Sequence, residues 1–155
     1  MPDIQIQIDD NRYKNHIQDI DSFCKRIISY AWHDQEPAEI SLVLSDDSFV
    51  RQLNKQYRGK DSATNVLSFE TGNRPAPDIP WIAGDIILAY ETILKESDAL
   101  GISFEAHLAH LLTHGTLHLQ GYDHINLVQA HEMESLETKL MCEQGYEDPY
   151  QNLED

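Results

Sequence analysis

Positive charge is scarce in this sequence: 11 Lys and Arg stand against 27 Asp and Glu, for a formal net charge of −16. At long range such a chain repels nucleic acid. Cysteine is scarcer still. Cys24 and Cys142 lie far apart in predicted helices, without C-x-x-C spacing, and read as core thiols of a reducing cytoplasm rather than as a disulfide or a metal pair. No run approaches the ~20 consecutive apolar residues of a membrane span. The opening MPDIQIQIDD lacks the basic-then-apolar layout of a secretory leader. Repeats and low-complexity stretches are missing too. A chain of 155 residues suits a single domain with one substantial core, here read as residues 1–155 with an acidic tail that frays from Gly145.

Histidine, by contrast, is concentrated. Five of the eight fall between His107 and His124, and the stretch HGTLHLQGYDH spaces three of them as His114, His118 and His124. On a helix the first two point from one face, about 40° apart in projection. Gly121 supplies the turn that ends the helix, so that His124 can return as a third ligand. Three neutral imidazoles with one position left open are a common recipe for catalytic zinc. The spacing equals that of H-E-x-x-H-x-x-G-x-x-H metalloproteases, but Gly115 stands where their Glu acts as general base. A metal site is signalled; peptide hydrolysis is not. His110 reads as a residue behind the ligands, and His107, two turns from His114, as too distant to share an ion.

The chain alternates strands and helices. Residues 2–8 form a strand, 19–33 a helix burying Ile20, Phe23, Ile27, Ile28 and Ala31, and 38–45 an interior strand. A helix to Arg58 follows, capped by Ser45 and burying Phe49, Val50, Leu53 and Tyr57, with Gly59 stopping it. Strands at 64–70 and 82–90 flank a loop, 71–80, that holds three of the six prolines. Helices near 91–99, 103–120 and 126–144 complete the order. The expected fold class is α+β: a small mixed sheet of four strands packed with about five helices, with the histidine helix buried at the centre. The first three strands are expected to run parallel through helical crossovers, and the fourth antiparallel to its neighbour.

Arg51, Lys55, Arg58 and Lys60 place four of the eleven bases within ten residues, so a local basic face can meet a phosphate despite the acidic whole. That face lies within LNKQYRGKDSATNVLSF (53–69). Together with GDIILAY (84–90) and HGTLHLQGYDH, it resembles the YbeY-type bacterial endoribonucleases, the ribosomal RNA maturation factors. One departure is Asn65, where that family commonly carries Asp. The resemblance implies a metal-dependent endoribonuclease specific for single strands, acting in ribosomal RNA maturation and ribosome quality control in the cytoplasm. It implies one zinc (or another divalent transition metal such as nickel) on His114, His118 and His124, and Arg58 as the functional arginine of the metal cleft. Its partners would be single-stranded ribosomal RNA, the small ribosomal subunit and assembly factors, with no membrane. The chemistry fits, because a reacting phosphodiester needs a fixed cation with a two-point grip. Two other readings remain: a metalloprotease or other zinc hydrolase, and a non-catalytic ribosome-assembly protein with structural zinc. The second is disfavoured because no nearby Cys offers a fourth ligand.

Overall fold

Alternating burial along DIQIQI makes β1 (Asp3–Ile8) a strand with one wet face, whereas β2 (Ala38–Ser45) and β4 (Trp81–Ala89) carry apolar residues on both faces and lie inside the sheet. The computed structural model describes residues 2–34, 38–71, 81–123 and 125–151. Its remaining strand is β3 (Val66–Glu70), and the helices are α1 (Ile20–Ala31), α2 (Asp47–Arg58), α3 (Tyr90–Leu100), α4 (Phe104–Leu119) and α5 (Leu127–Glu143). A 3-10 turn at Asn11–Asn15, not expected from the periodicity, precedes α1. It is held by Tyr13, whose hydroxyl donates to the Ser45 carbonyl at 2.9 Å.

The sheet order is β1-β2-β4-β3, so the fold is α+β with a mixed four-stranded sheet. β1, β2 and β4 run parallel, and β3 pairs antiparallel with β4 at the edge. This corrects the expected parallel crossover from the second to the third strand. β4, nine residues long and apolar on both sides, takes the interior place beside β2 and pushes the short, half-buried β3 outward.

The two faces of the sheet are covered unequally. Ile40, Leu42, Leu44, Ile86 and Leu88 meet α1 and α4 in the large core, with Ile27, Leu108 and Leu112 among the partners. On the reverse face α2 covers Leu67, Ile87 and Ala89 with little more than Val50 and the half-buried Leu53. So thin a contact leaves Phe49 and Tyr57, both expected to be buried, at 38% and 63% exposure. The cap of α2 is Asp46, which accepts from the Phe49 amide at 2.9 Å; Ser45, expected in that role, belongs to β2. Cys24 is a core thiol as expected, whereas Cys142 is exposed. No helix among the described residues is long and apolar enough to cross a membrane.

Candidate metal centre

Helix α4 starts at its cap Ser103, which accepts from the Ala106 amide, and buries eleven of its sixteen residues. The solvent access that remains between residues 106 and 118 follows one line: Ala106, His110, His114, His118. A four-residue step keeps a side chain on one ridge of a helix. Sequence spacing and packing therefore agree on which face of α4 is open.

The close approach of α4 to the sheet is set by Gly115. A Cβ there would lie 3.1 Å from Ser68 Oγ and 3.2 Å from Ile86 Cγ2. The position at which a metalloprotease needs its Glu is thus packed against β3 and β4. At the far end Gly121, with φ of 99°, turns the chain, and the Tyr122 amide returns to the Leu117 carbonyl at 3.2 Å. Gln120 fixes the same corner: its amide donates to the Ala31 carbonyl, and its Oε1 accepts from the His33 amide at 2.7 Å.

This corner and α5 settle the imidazole tautomers. His118 Nδ1 lies 3.1 Å from the Tyr122 carbonyl oxygen, and His114 Nδ1 lies 3.3 Å from Glu137 Oε1. A carbonyl and a carboxylate only accept, so both rings carry their proton on Nδ1. That leaves Nε2 as the nitrogen each can offer to a metal. Burial would raise the Glu137 carboxyl, but the hydrogen bonds from His110 and His114 outweigh it and hold it down at about 2.

His114 and His118 line one cleft of about 230 Å³ with Arg58, Thr64, Asn65, Val66 and Ser68. Arg58 is the last residue of α2, exposed, ahead of the left-handed cap Gly59. Its guanidinium stands 6.0 Å from the Phe69 ring. Arg51, in the same basic run, is committed to Asp61 at 2.7 Å. The third predicted ligand, His124, lies outside the described residues, and among those described no group of three or more His, Cys, Asp or Glu is gathered to hold a metal.

The other singled-out residues sort themselves by distance. His110 Nε2 meets Glu137 Oε1 at 2.6 Å, one hydrogen bond removed from His114. His107 is tied instead to Glu96 on α3 at 2.9 Å, and its buried Nδ1 has no partner among the described residues. Burial holds His107 below its ordinary 6.5, against the raising effect of Glu96. Asn65 donates its amide to that same Glu96 oxygen at 2.9 Å, where an Asp would set two carboxylates together.

Glu137 was not expected from the sequence. Its signal is an acid on the inner stripe of α5, whose buried residues are Met133, Glu137, Leu140 and Met141. Tyr150 is a second addition. Its hydroxyl donates to Glu137 Oε1 at 2.9 Å, and its amide bonds Asp148, which also accepts from Thr138. Of the tail expected to fray from Gly145, residues 152–155 lie outside the described residues; within 145–151 the other tyrosine, Tyr146, donates to Glu105 at 3.0 Å.

Residues 3–145 match the family described as Endoribonuclease YbeY. A Rhizobium leguminosarum bv. trifolii protein of that description is 43% identical, over 96% of this chain and 93% of its own length. An Agrobacterium fabrum protein of the same description is 50% identical over 76% of this chain and 71% of its own. A Thermotoga maritima protein solved in solution aligns with 100% of this chain and 97% of its own at a TM-score of 0.53 and 19% identity, a likeness of fold.

Proposed function

This chain belongs to the YbeY endoribonuclease family, and from that membership we propose that it is a metal-dependent endoribonuclease that cuts single-stranded RNA in ribosomal RNA maturation and ribosome quality control. The observation that carries the reading is the shared cleft: a fixed cation, Arg58, opens onto the same small space as His114 and His118. Two imidazoles already in the ligating tautomer fit a zinc ion, or another divalent transition metal, completed by His124. Such a metal supplies Lewis acidity at a phosphoryl oxygen and a nucleophile at neutral pH.

The chain's own part is binding and orientation. Arg58 carries a planar fork of donors that grips two phosphate oxygens and offsets charge as it grows in the transition state. Ser68 and Thr64 place hydroxyls on the cleft wall for the sugar-phosphate backbone. The cleft is too small for an A-form duplex, whereas an unpaired strand can splay into it. An acidic chain with a short basic stretch binds such a strand locally and weakly, with a steep salt dependence. Single-stranded ribosomal RNA on the small subunit and its assembly factors, in the cytoplasm, are the partners that this reading names.

The protease reading lacks its general base, since Gly115 stands where the Glu would be and a Cβ there already crowds Ser68 Oγ and Ile86 Cγ2. The test is to give metal-replete protein a single-stranded RNA, its duplex and a peptide library, with and without chelator. Cutting of the unpaired RNA alone, abolished by chelation, is expected. Peptide cleavage without RNA cleavage would overturn the reading.

A further inference from the structure

Helix α5 sends a carboxylate into the interior that the proposed chemistry does not use. Glu137 is fully buried, yet its Oε1 collects three groups: His110 Nε2 at 2.6 Å, the Tyr150 hydroxyl at 2.9 Å and His114 Nδ1 at 3.3 Å. Burying a lone carboxylate is costly, so its presence demands a set of donors. All three donors come from different places: two turns of one helix ridge, and a segment that follows α5. The Tyr150 ring also stands edge-on against His110 at 5.3 Å, filling the space beside the carboxylate.

We propose that Glu137, steadied by His110 and Tyr150, is the positioning residue of the cleft: it fixes the His114 ring in one rotamer and keeps its proton on Nδ1, so that Nε2 is presented to the metal. The counterpart for His118 is the Tyr122 carbonyl, part of the backbone and so beyond the reach of side-chain substitution. The two ligands therefore differ in how they are held. His118 is fixed by the turn at Gly121; His114 depends on a side chain 23 positions along the chain and, through it, on Tyr150. The inference rests on the metal reading only for its consequence, since the tautomer is a property of the metal-free protein.

The experiment is nitrogen NMR of the imidazoles in metal-free protein, at a pH where they are neutral, together with zinc affinity by chelator competition. Wild type should show His114 and His118 both protonated on Nδ1. Glu137→Met fills the same space without an acceptor and should move His114 largely to the Nε2-protonated form while His118 stays as it was. Glu137→Gln, which keeps the shape, should give a mixed population, and Tyr150→Phe a smaller shift in the same direction. Zinc affinity should fall by ~10–100-fold in Glu137→Met. A wild-type tautomer at His114 in whichever of the two Glu137 variants folds would overturn the proposal. Wild type that binds no zinc, with tautomers that shift as stated, would instead remove the metal reading and leave the positioning role standing.

Discussion

Arg58 and His114 face one cleft although α2 and α4 cover opposite faces of the sheet. They meet around the edge strand β3, whose residues alternate between the two: Leu67 packs under α2, and Ser68 lies against Gly115 of α4. Only an edge strand allows this, because an interior strand would separate the two helices completely. Substitutions at either residue should therefore have separable effects.

At Arg58 the expected loss is one of rate. Arg58→Ala should leave metal content and melting temperature unchanged, since the side chain is exposed at a helix end. RNA cleavage should drop ~10²–10³-fold, the cost of one donor to a developing oxyanion. Arg58→Lys restores charge without the two-point grip and should recover part of the rate. Full activity in Arg58→Ala would return the residue to an ordinary helix-end base.

Metal content is the readout for the histidines. Roughly one divalent ion per chain is expected, from the three-imidazole spacing. His114→Ala, His118→Ala and His124→Ala should each lose most of it in elemental analysis. Unchanged content in all three would sink the ligand assignment.

Gly115 offers a test through stability alone. Gly115→Glu must push a carboxylate against Ser68 and Ile86, and should cost more than ~2 kcal/mol in urea unfolding. It should confer no peptidase activity. A Gly115→Glu protein as stable as wild type would show that α4 can move off the sheet, contrary to the contacts seen here.

His107 makes stability depend on pH. Folded, its imidazole is held below 6.5 by burial; unfolded, it takes up a proton near that value. Below about 6.5 the unfolded chain therefore binds more protons, so this contribution is whole above that pH and shrinks as the pH falls towards the lowered folded value. In metal-free protein, the urea midpoint of wild type should fall more between about pH 7.5 and about pH 5.5 than that of His107→Gln. Equal falls would mean that burial and Glu96 cancel and leave His107 unshifted, and a smaller fall in wild type would mean that Glu96 keeps it protonated in the fold.

The position of attack can be read from sugar chemistry. A single 2′-deoxy residue at the cleaved position should still be cut if water attacks, as an open three-histidine metal site favours. Survival of that substrate, with cyclic phosphate ends on the normal products, would assign the attack to the 2′-hydroxyl.

How far the sequence reveals this site depends on the range of each interaction. The open face of α4 is legible because its repeat is local: His110, His114 and His118 recur every four residues, and Gly121 marks the stop. Helix ends read well for the same reason, although Asp46 competes with Ser45 for one cap and wins because Ser45 is held in the β2 ladder. The place of β4 between β2 and β3 is not legible from connection lengths. It follows from which strand can be apolar on both faces. Glu137 is the least legible, since its partners stand 27, 23 and 13 positions away. Its sign is a single acid inside an apolar stripe.

The ridge on α4 also distinguishes two kinds of genetic change. Missense variation at the leucines between the histidines, unlike that at Gly115, meets a packed but forgiving environment, since Leu111, Leu112 and Leu117 can exchange with apolar residues of similar volume at modest cost. An in-frame insertion or deletion of a single codon between His110 and His118 is another matter. It turns everything downstream by ~100° about the helix axis, carrying one imidazole into the sheet and a leucine out to the cleft. The gene can thus drift in spelling along this helix but not in length.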